Sequence, residues 1–518
     1  MVLLDMLLGI FAWIEVAVKE DYMFYLASRQ WLSQELPVVS GNADYVQEEQ
    51  LLRRIDEILM VSGLEKEHVR WVVEEAQQSA GHIFEGKQLD AMIVHAIRAL
   101  RCTVLRMLTG HAHRVMAKLI AGMPLYQWFC HLQRFPAVRP PSKSTLQRYE
   151  RSVCPDHLQR LNDLLVGKAG GQSARGTLRL AAPLDLDGFF MDTTCVEPNI
   201  HFPVDWVLLR DGIRTLIKAM ALIRRHGLKH RMPDPQAFLR NINRQCIAMA
   251  QTARRADARR KRKAILREMK RMTKIVSKHA ERYRQALATR RAETDLTENE
   301  AERILQRLEA VNAQLPDAIR QAHERIIGGR RVPNENKILS LYEPDVHVIV
   351  RGKAGAQVEF GNTLLLCEQR QGVVVDFELF QGAAPADAQL TGRVVEKLDA
   401  MFSNLWQPHS EPSLAADRGF HSPKNEQLLA GKFFNAVASK SPRVLKSQRQ
   451  SKRFVAEQNR RSQTEARVSI VKRRFIGDPI MNKGFTSRSS RVAWAVLAHN
   501  LWVIARLPTV QSKRKRAA

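Results

Sequence analysis

Carboxylates are scarce in this chain. Its 518 residues hold 53 Asp and Glu against 81 Lys and Arg, a formal charge of +28 at pH 7. A field of that sign attracts polyanions, nucleic acid first among them. An anionic membrane surface is the other polyanion to weigh, but binding there usually needs an amphipathic anchor. Cysteine is sparse as well. The six residues, at 102, 130, 154, 195, 246 and 367, include no Cys-x-x-Cys pair. The pattern argues against zinc ribbons and a disulfide framework, and reduced thiols in the cytoplasm are expected. Long apolar runs are also missing. Met1–Val18 comes nearest, yet Asp5 and Glu15 interrupt it and no basic segment precedes it. The expectation is an amphipathic helix, or a start codon upstream of the true one, rather than a signal peptide or membrane span.

What is present is ample apolar material, 45% of the chain, at a length that predicts about three domains. Residues 1–100 read as helices of mixed charge, with helical apolar spacing in Leu51–Leu59 and no evident chemistry. Residues 101–166 read as short helices with tight turns. Gly110 and the Gly122-Met123-Pro124 break punctuate them, and a basic helix follows Pro140-Pro141 with Ser144 as its N-cap. This pattern fits a helix-turn-helix-like DNA reader or a small helical bundle. Gly167–Gly176 reads as a linker, and Leu178–Val196 as extended chain running into Asp192-Thr193-Thr194. Helix is expected again from Trp206 to Ile223.

Residues 231–335 are helical and charged. Between Arg254 and Arg291 there are 16 Lys/Arg against three acids, which favours phosphate contact over a merely solvated face. The apolar positions Ile304, Leu308, Val311 and Leu315 define a second arm that Pro316 is expected to end. From 339 the period changes to that of strands: Val346–Val350, Asn362–Leu366 and Val373–Phe377, the last two forming a hairpin across Gln371-Gly372. A helix over Asp387–Leu405, a short strand over Ser413–Ala416, a helix capped by Ser422-Pro423 and a strand over Phe433–Ala438 follow. The helix carrying Glu465, an apolar helix over Ser489–Ala505 and a basic tail, Lys513–Arg516, close the chain. One strand, a helical insert, more strands and then helices make an α/β core interrupted by an α domain.

Three acids stand out at element ends or between cations. Asp192 follows an apolar strand, Asp417 follows another in Asp417-Arg418-Gly419-Phe420, and Glu465 lies four residues after Arg461 and seven before Lys472, close to one helical face. Hard oxygen donors without thiolates suit a divalent metal site. Asp185, Asp187, Glu197, Asp205 and Asp211 crowd the first strand, and spacing alone does not choose among them. His201, His421 and His499 are expected to be structural or DNA-proximal.

In this order the motifs resemble those of the DDE transposases of bacterial insertion sequences. Asp192-Thr193-Thr194 is similar to their first Asp and its small and Thr neighbours, and Asp417-Arg418-Gly419-Phe420 to their Asp-(Lys/Arg/Thr)-Gly-(Tyr/Phe). Arg461, Glu465 and Lys472 fit the Arg, Glu and Lys of Tyr-x2-Arg-x3-Glu-x6-Lys, with Gln458 in place of the Tyr. Asn199–Asp205 and the 113–150 region also resemble family segments. The resemblance covers residues 100–507, with 225 residues between the two Asp and 48 from Asp417 to Glu465.

It implies an RNase H-like α/β core (178–230 and 336–507), interrupted by a large basic helical insertion (231–335). An N-terminal helical region (1–100) and a DNA-binding region (101–166) precede the core, and a basic tail (508–518) follows it. It implies that Asp192, Asp417 and Glu465 hold two Mg²⁺ or Mn²⁺ ions. It implies DNA contact by Arg461, Lys472, Arg418, Lys143 and Arg148. The implied partners are element terminal inverted repeats and target DNA, bound by a homodimer or larger assembly. The implied place is the cytoplasm, in association with the nucleoid. The alternatives are a non-enzymatic DNA-binding protein derived from a transposase, and a nuclease without strand transfer. A membrane-surface role ranks last.

Overall fold

The structure, a computed structural model, describes residues 36–132, 137–252, 257–350, 357–407 and 410–510. The apolar start and the basic tail lie outside the described residues. Among the described residues seven α-helices precede the sheet: α1 (Ala43–Val61), α2 (Leu64–Ala80), α3 (Lys87–Thr109), α4 (His113–Gly122), α5 (Pro124–Phe129), α6 (Lys143–Arg151) and α7 (Pro155–Gly170). α3 runs unbroken through the boundary expected at residue 100 and ends at Gly110, whose φ of 70° supplies the left-handed C-cap. α6 starts earlier than expected: the Ser142 hydroxyl, not Ser144, caps it by accepting the Thr145 N–H at 3.2 Å. Residues 130–142 separate α5 from α6, so these two do not form a tight-turn pair. The expected glycine linker is also mostly helix. Gly167 to Gly170 complete α7, because Leu165, Val166 and Ala169 are buried in the main core.

Two buried imidazoles help lock α2 to α7. His68 Nδ1 and His157 Nε2 are 3.2 Å apart, and Trp71 stacks on His157 at 4.3 Å between ring centroids. Burial, the larger cause, with neighbouring imidazole and cationic groups, holds His68 down at about 3 and His157 at about 4. The unfolded chain takes up protons at these groups near the ordinary value of 6.5. Their stabilising contribution is therefore complete above that pH and is lost as pH falls toward 4, by about 1.4 kcal/mol per pH unit for each ring. Thermal unfolding measured from pH 7 to pH 5 is expected to show a falling midpoint. The slope should flatten in a His68→Leu/His157→Phe variant; an unchanged slope would remove this pair as the cause.

The second part is mixed α/β. Its strands are β1 (Gly188–Val196), β2 (His347–Val350), β3 (Val358–Gln369), β4 (Val374–Leu379), β5 (Ser413–Ala416) and β6 (Phe434–Val437). Among the described residues they make one six-stranded sheet. β1 pairs antiparallel with β3, and the far side of β3 carries β2 near its start and β4 near its end. On its other edge β1 pairs parallel with β5, and β5 pairs parallel with β6. The β3–β4 hairpin turns at Gly372, whose φ is 87° and whose missing Cβ leaves room for the Arg467 guanidinium. Helices α12 (Asp387–Phe402), α13 (Pro423–Leu429), α14 (Pro442–Gln448), α15 (Lys452–Ile470) and α16 (Phe485–Ala505) complete this part. One sheet face, bearing Phe189, Met191 and Leu414, joins the main core. The other bears Phe190, Ala415 and Ala436, and packs with Leu445 of α14 and Phe454 of α15.

Between β1 and β2, among the described residues, four α-helices share a core of their own: α8 (Asp205–Arg225), α9 (Pro235–Gln251), α10 (Ala258–Arg290) and α11 (Glu298–Ala322). α8, expected from the sequence to belong with the first part of the α/β core, packs instead with these helices, so the helical body includes residues from 205 onward. Pro316 does not end α11; it lies inside it. Leu315, Ala318 and Ala322 are buried on either side of Pro316, and Leu315 packs over Gly212 so closely that a Cβ there would meet it at 2.6 Å. Tertiary packing carries the helix past the break that proline alone would impose.

Candidate functional site

The site is built where β5 stops. Gly188, Phe189 and Phe190 of β1 face Ser413, Leu414 and Ala415 of β5 in parallel register. The 225-residue offset of that register is the offset from Asp192 to Asp417. Asp417 is the first residue beyond β5, and Asp192 lies inside β1 rather than at its end. β1 runs on to Val196 because β3 still pairs with it through Asn362. Beyond Phe190, therefore, β1 has a ladder partner on one side only. Parity places Asp192 with Phe190 and Asp417 with Ala415, on the face that α15 crosses. The register, extended two residues past its last pair, thus brings the two carboxylates to the same level beyond the carboxyl end of β5.

Each carboxylate is fixed by the backbone. Asp192 Oδ1 accepts the Thr193 N–H at 2.8 Å, and Asp417 Oδ1 accepts the Gly419 N–H at 2.7 Å, so Asp417 caps the 3₁₀ turn Arg418–Phe420. A third carboxylate lies alongside that sequence reasoning passed over. Asp387, the first residue of α12, accepts the Thr193 hydroxyl on Oδ1 at 3.1 Å. A Cβ built on Gly419 would stand 2.7 Å from Asp387 Oδ2 and 2.9 Å from Asp417 Oδ1. Glycine at this position lets the two acids approach over the turn. In the sequence Asp387 carries no distinguishing signal, because an acid in the first turn of a helix is ordinary dipole stabilisation.

α15 brings the remaining residues. Its buried side is anchored on β3: Arg460 Nη1 reaches Glu368 at 3.0 Å and Thr464 donates to the same carboxylate at 2.9 Å. Gln458, the residue that departs from the family pattern, donates through Nε2 to the Ala416 carbonyl at 3.1 Å, immediately before Asp417, and also to the Ala436 carbonyl. Its Oε1 accepts from Arg461 Nε at 3.3 Å. Gln458, Arg461 and Glu465 follow one another at i, i+3, i+7, so one stripe of α15 runs from the end of β5 to Glu465. Glu465 itself is exposed.

Lys472 lies just beyond α15. The helix widens into a π turn over Val471–Ile476, and Lys472 Nζ stands 3.6 Å from Asp478. Among the competing acids, Asp185 pairs with Arg370 at 3.1 Å, Asp205 with Arg325 at 2.8 Å, and Asp211 with Arg210 at 2.8 Å. Arg418, Lys143 and Arg148 are exposed, Lys143 at the start of α6 and Arg148 on the side of α6 away from its buried Leu146 and Glu150.

Asp192 and Asp417 supply the hard oxygen donors a divalent cation takes. Among the described residues, however, no group of three or more His, Cys, Asp or Glu side chains is gathered into a metal site. Glu465, the expected third ligand, lies exposed on α15. No described helix is long and apolar enough to cross a membrane. No protein-family model, curated protein or solved structure matches the chain.

Proposed function

We propose that the chain is a DNA transposase that cleaves element-end phosphodiesters and joins the resulting 3′-OH to target DNA. The observation that carries this reading is the parallel β1–β5 register, which, extended two residues past Phe190 and Ala415, brings Asp192 and Asp417 to the same level beneath the helix bearing Glu465. The strand arrangement supports it: an antiparallel β4–β3–β1 unit continued by parallel β5 and β6 is the order of an RNase H-like core. The helical body between β1 and β2 accounts for the long gap between the aspartates. Net charge supports it too, since a basic chain with a few acids collected at one strand end suits a polyanion held by cations and cut at one place.

A divalent ion bound at Asp192 and Asp417 would polarise a phosphodiester and activate water. Around that pair, Thr193 and Gly419 orient the two carboxylates through their backbone N–H groups. Gln458 fixes α15 to the chain just before Asp417, and Arg461, on the same stripe, offers its guanidinium to phosphate. Purified protein incubated with Mg²⁺ and DNA carrying the element's own ends tests the reading. End-specific nicking followed by strand transfer supports it; binding without cleavage would favour a non-enzymatic DNA-binding protein, and cleavage without transfer a nuclease.

Asp387 acts in this site as a positioning residue, through Thr193 and against the Asp417 turn. Asp387→Asn is expected to lower the cleavage rate about 10–100-fold, the usual effect of removing a partner of metal ligands. It should also raise the Mg²⁺ concentration needed for half-maximal rate, which a purely structural role would leave alone. A Mg²⁺ titration of cleavage reads both; an unchanged half-maximal concentration would reject the assignment.

A further inference from the structure

Helix α10 presents a surface that the candidate site does not use. Its 33 residues carry thirteen Lys and Arg against two acids. One side is sealed: Leu266, Met269, Val276, Tyr283 and Leu287 are buried in the core of the helical body. On the other side Arg260, Arg267, Arg271, Lys274, Lys278 and Arg282 are all exposed. Their spacings of seven, four, three, four and four residues keep them within about 100° of arc, opposite the buried stripe. Of the six, Arg271 pairs with Glu268. The other five have no ion-pair partner among the described residues. Neighbouring α11 is different, for its exposed Arg303 and Arg307 lie among Glu302 and Glu309.

A solvated helical face is ordinarily laced with both signs at i, i+4. A row of one sign repels itself and is balanced only by an external anion. At 1.5 Å per residue the row from Arg260 to Arg282 is about 33 Å long, close to one turn of duplex DNA at roughly 34–36 Å. A membrane surface is disfavoured, because the apolar side that would have to insert is already buried. We infer that α10 is a docking rail for double-stranded DNA, held through backbone phosphates and independent of sequence. The choice of DNA over RNA rests on the transposase reading; the rail itself does not.

The test is binding of the full chain to a labelled duplex of arbitrary sequence, across a salt series. Reversing four charges, Arg267→Glu/Lys274→Glu/Lys278→Glu/Arg282→Glu, is expected to weaken binding at least 100-fold and to reduce the salt slope by about three. The four Gln substitutions should give the same change at smaller size without risk to folding. A matched control separates the rail from net charge: Lys274→Glu/Lys278→Glu should weaken binding more than Arg303→Glu/Arg307→Glu. Equal effects of the two pairs, or an unchanged salt slope in the Gln variant, would overturn the rail. Tighter binding to duplex RNA or to anionic vesicles than to DNA would overturn the choice of partner. The two proposals fail separately. Rail-dependent binding by a chain that never cleaves defeats the transposase reading alone, and cleavage by a chain whose rail variants bind as wild type defeats the rail alone.

Discussion

Asp192→Asn, Asp417→Asn and Glu465→Gln are each expected to abolish strand cleavage while leaving DNA binding in place. The loss should be about a thousandfold or more, since removing a ligand withdraws several kcal/mol of charge stabilisation from the transition state. The substitutions are mild for the fold. Asp192 and Asp417 each accept a backbone N–H through Oδ1, and an asparagine oxygen can accept the same bond. Glu465 is exposed, so an isosteric amide there disturbs no packing. Each change also makes the chain more basic by one charge, so affinity for DNA should not fall. Cleavage by purified variants, alongside duplex binding by the same preparations, checks both halves of the statement. Wild-type cleavage by Asp192→Asn or Asp417→Asn would end the transposase proposal. Wild-type cleavage by Glu465→Gln alone would remove that residue from the site and direct attention to Asp387, the third carboxylate that already stands beside Asp417.

Much of the sheet was legible because strands announce themselves locally. Ser413–Ala416 is a short apolar run that stops at an acid, and the β3–β4 hairpin turns at the expected Gly372. The relation that matters most was not legible. Asp192 and Asp417 each come two residues after the last paired positions of β1 and β5, at the same 225-residue offset, and no local pattern encodes a pairing across a helical body. Local rules also failed where packing outweighed them, as at Pro316 inside α11 and at Gly167–Gly170 inside α7. Gln458 illustrates a third limit. As a departure from a motif it carried no role, yet its amide spans the ends of two strands, which only the folded geometry reveals. Residues 36–100, whose mixed charges suggested no chemistry, conceal the same kind of dependence on fold, and it concerns stability.

Arg101→Ala is expected to destabilise the N-terminal helices by about 3–5 kcal/mol, among the largest effects of any single substitution outside the candidate site. The guanidinium is fully buried on α3. It donates to Glu65 of α2 through Nε, and through Nη1 to Asp56 of α1 at 2.6 Å and to the Phe129 carbonyl of α5 at 3.0 Å. Four helices therefore meet on one side chain. Burial works against its charge, and the two carboxylates outweigh that burial and raise its pKa above the ordinary arginine value. Deleting the cation takes from both carboxylates the buried guanidinium that offsets their charge, while Asp56 keeps His131 Nε2 at 3.7 Å. The penalty comes from this uncompensated charge rather than from the lost bonds. It follows that Asp56→Leu/Glu65→Leu/Arg101→Met, which removes every charge together, should recover most of the loss. Denaturant unfolding of the full-length chain, followed through hydrogen exchange of α1 to α3 amides, measures both. A triple variant no more stable than Arg101→Ala would show that the network holds the helices by its own bonds, and would overturn this account.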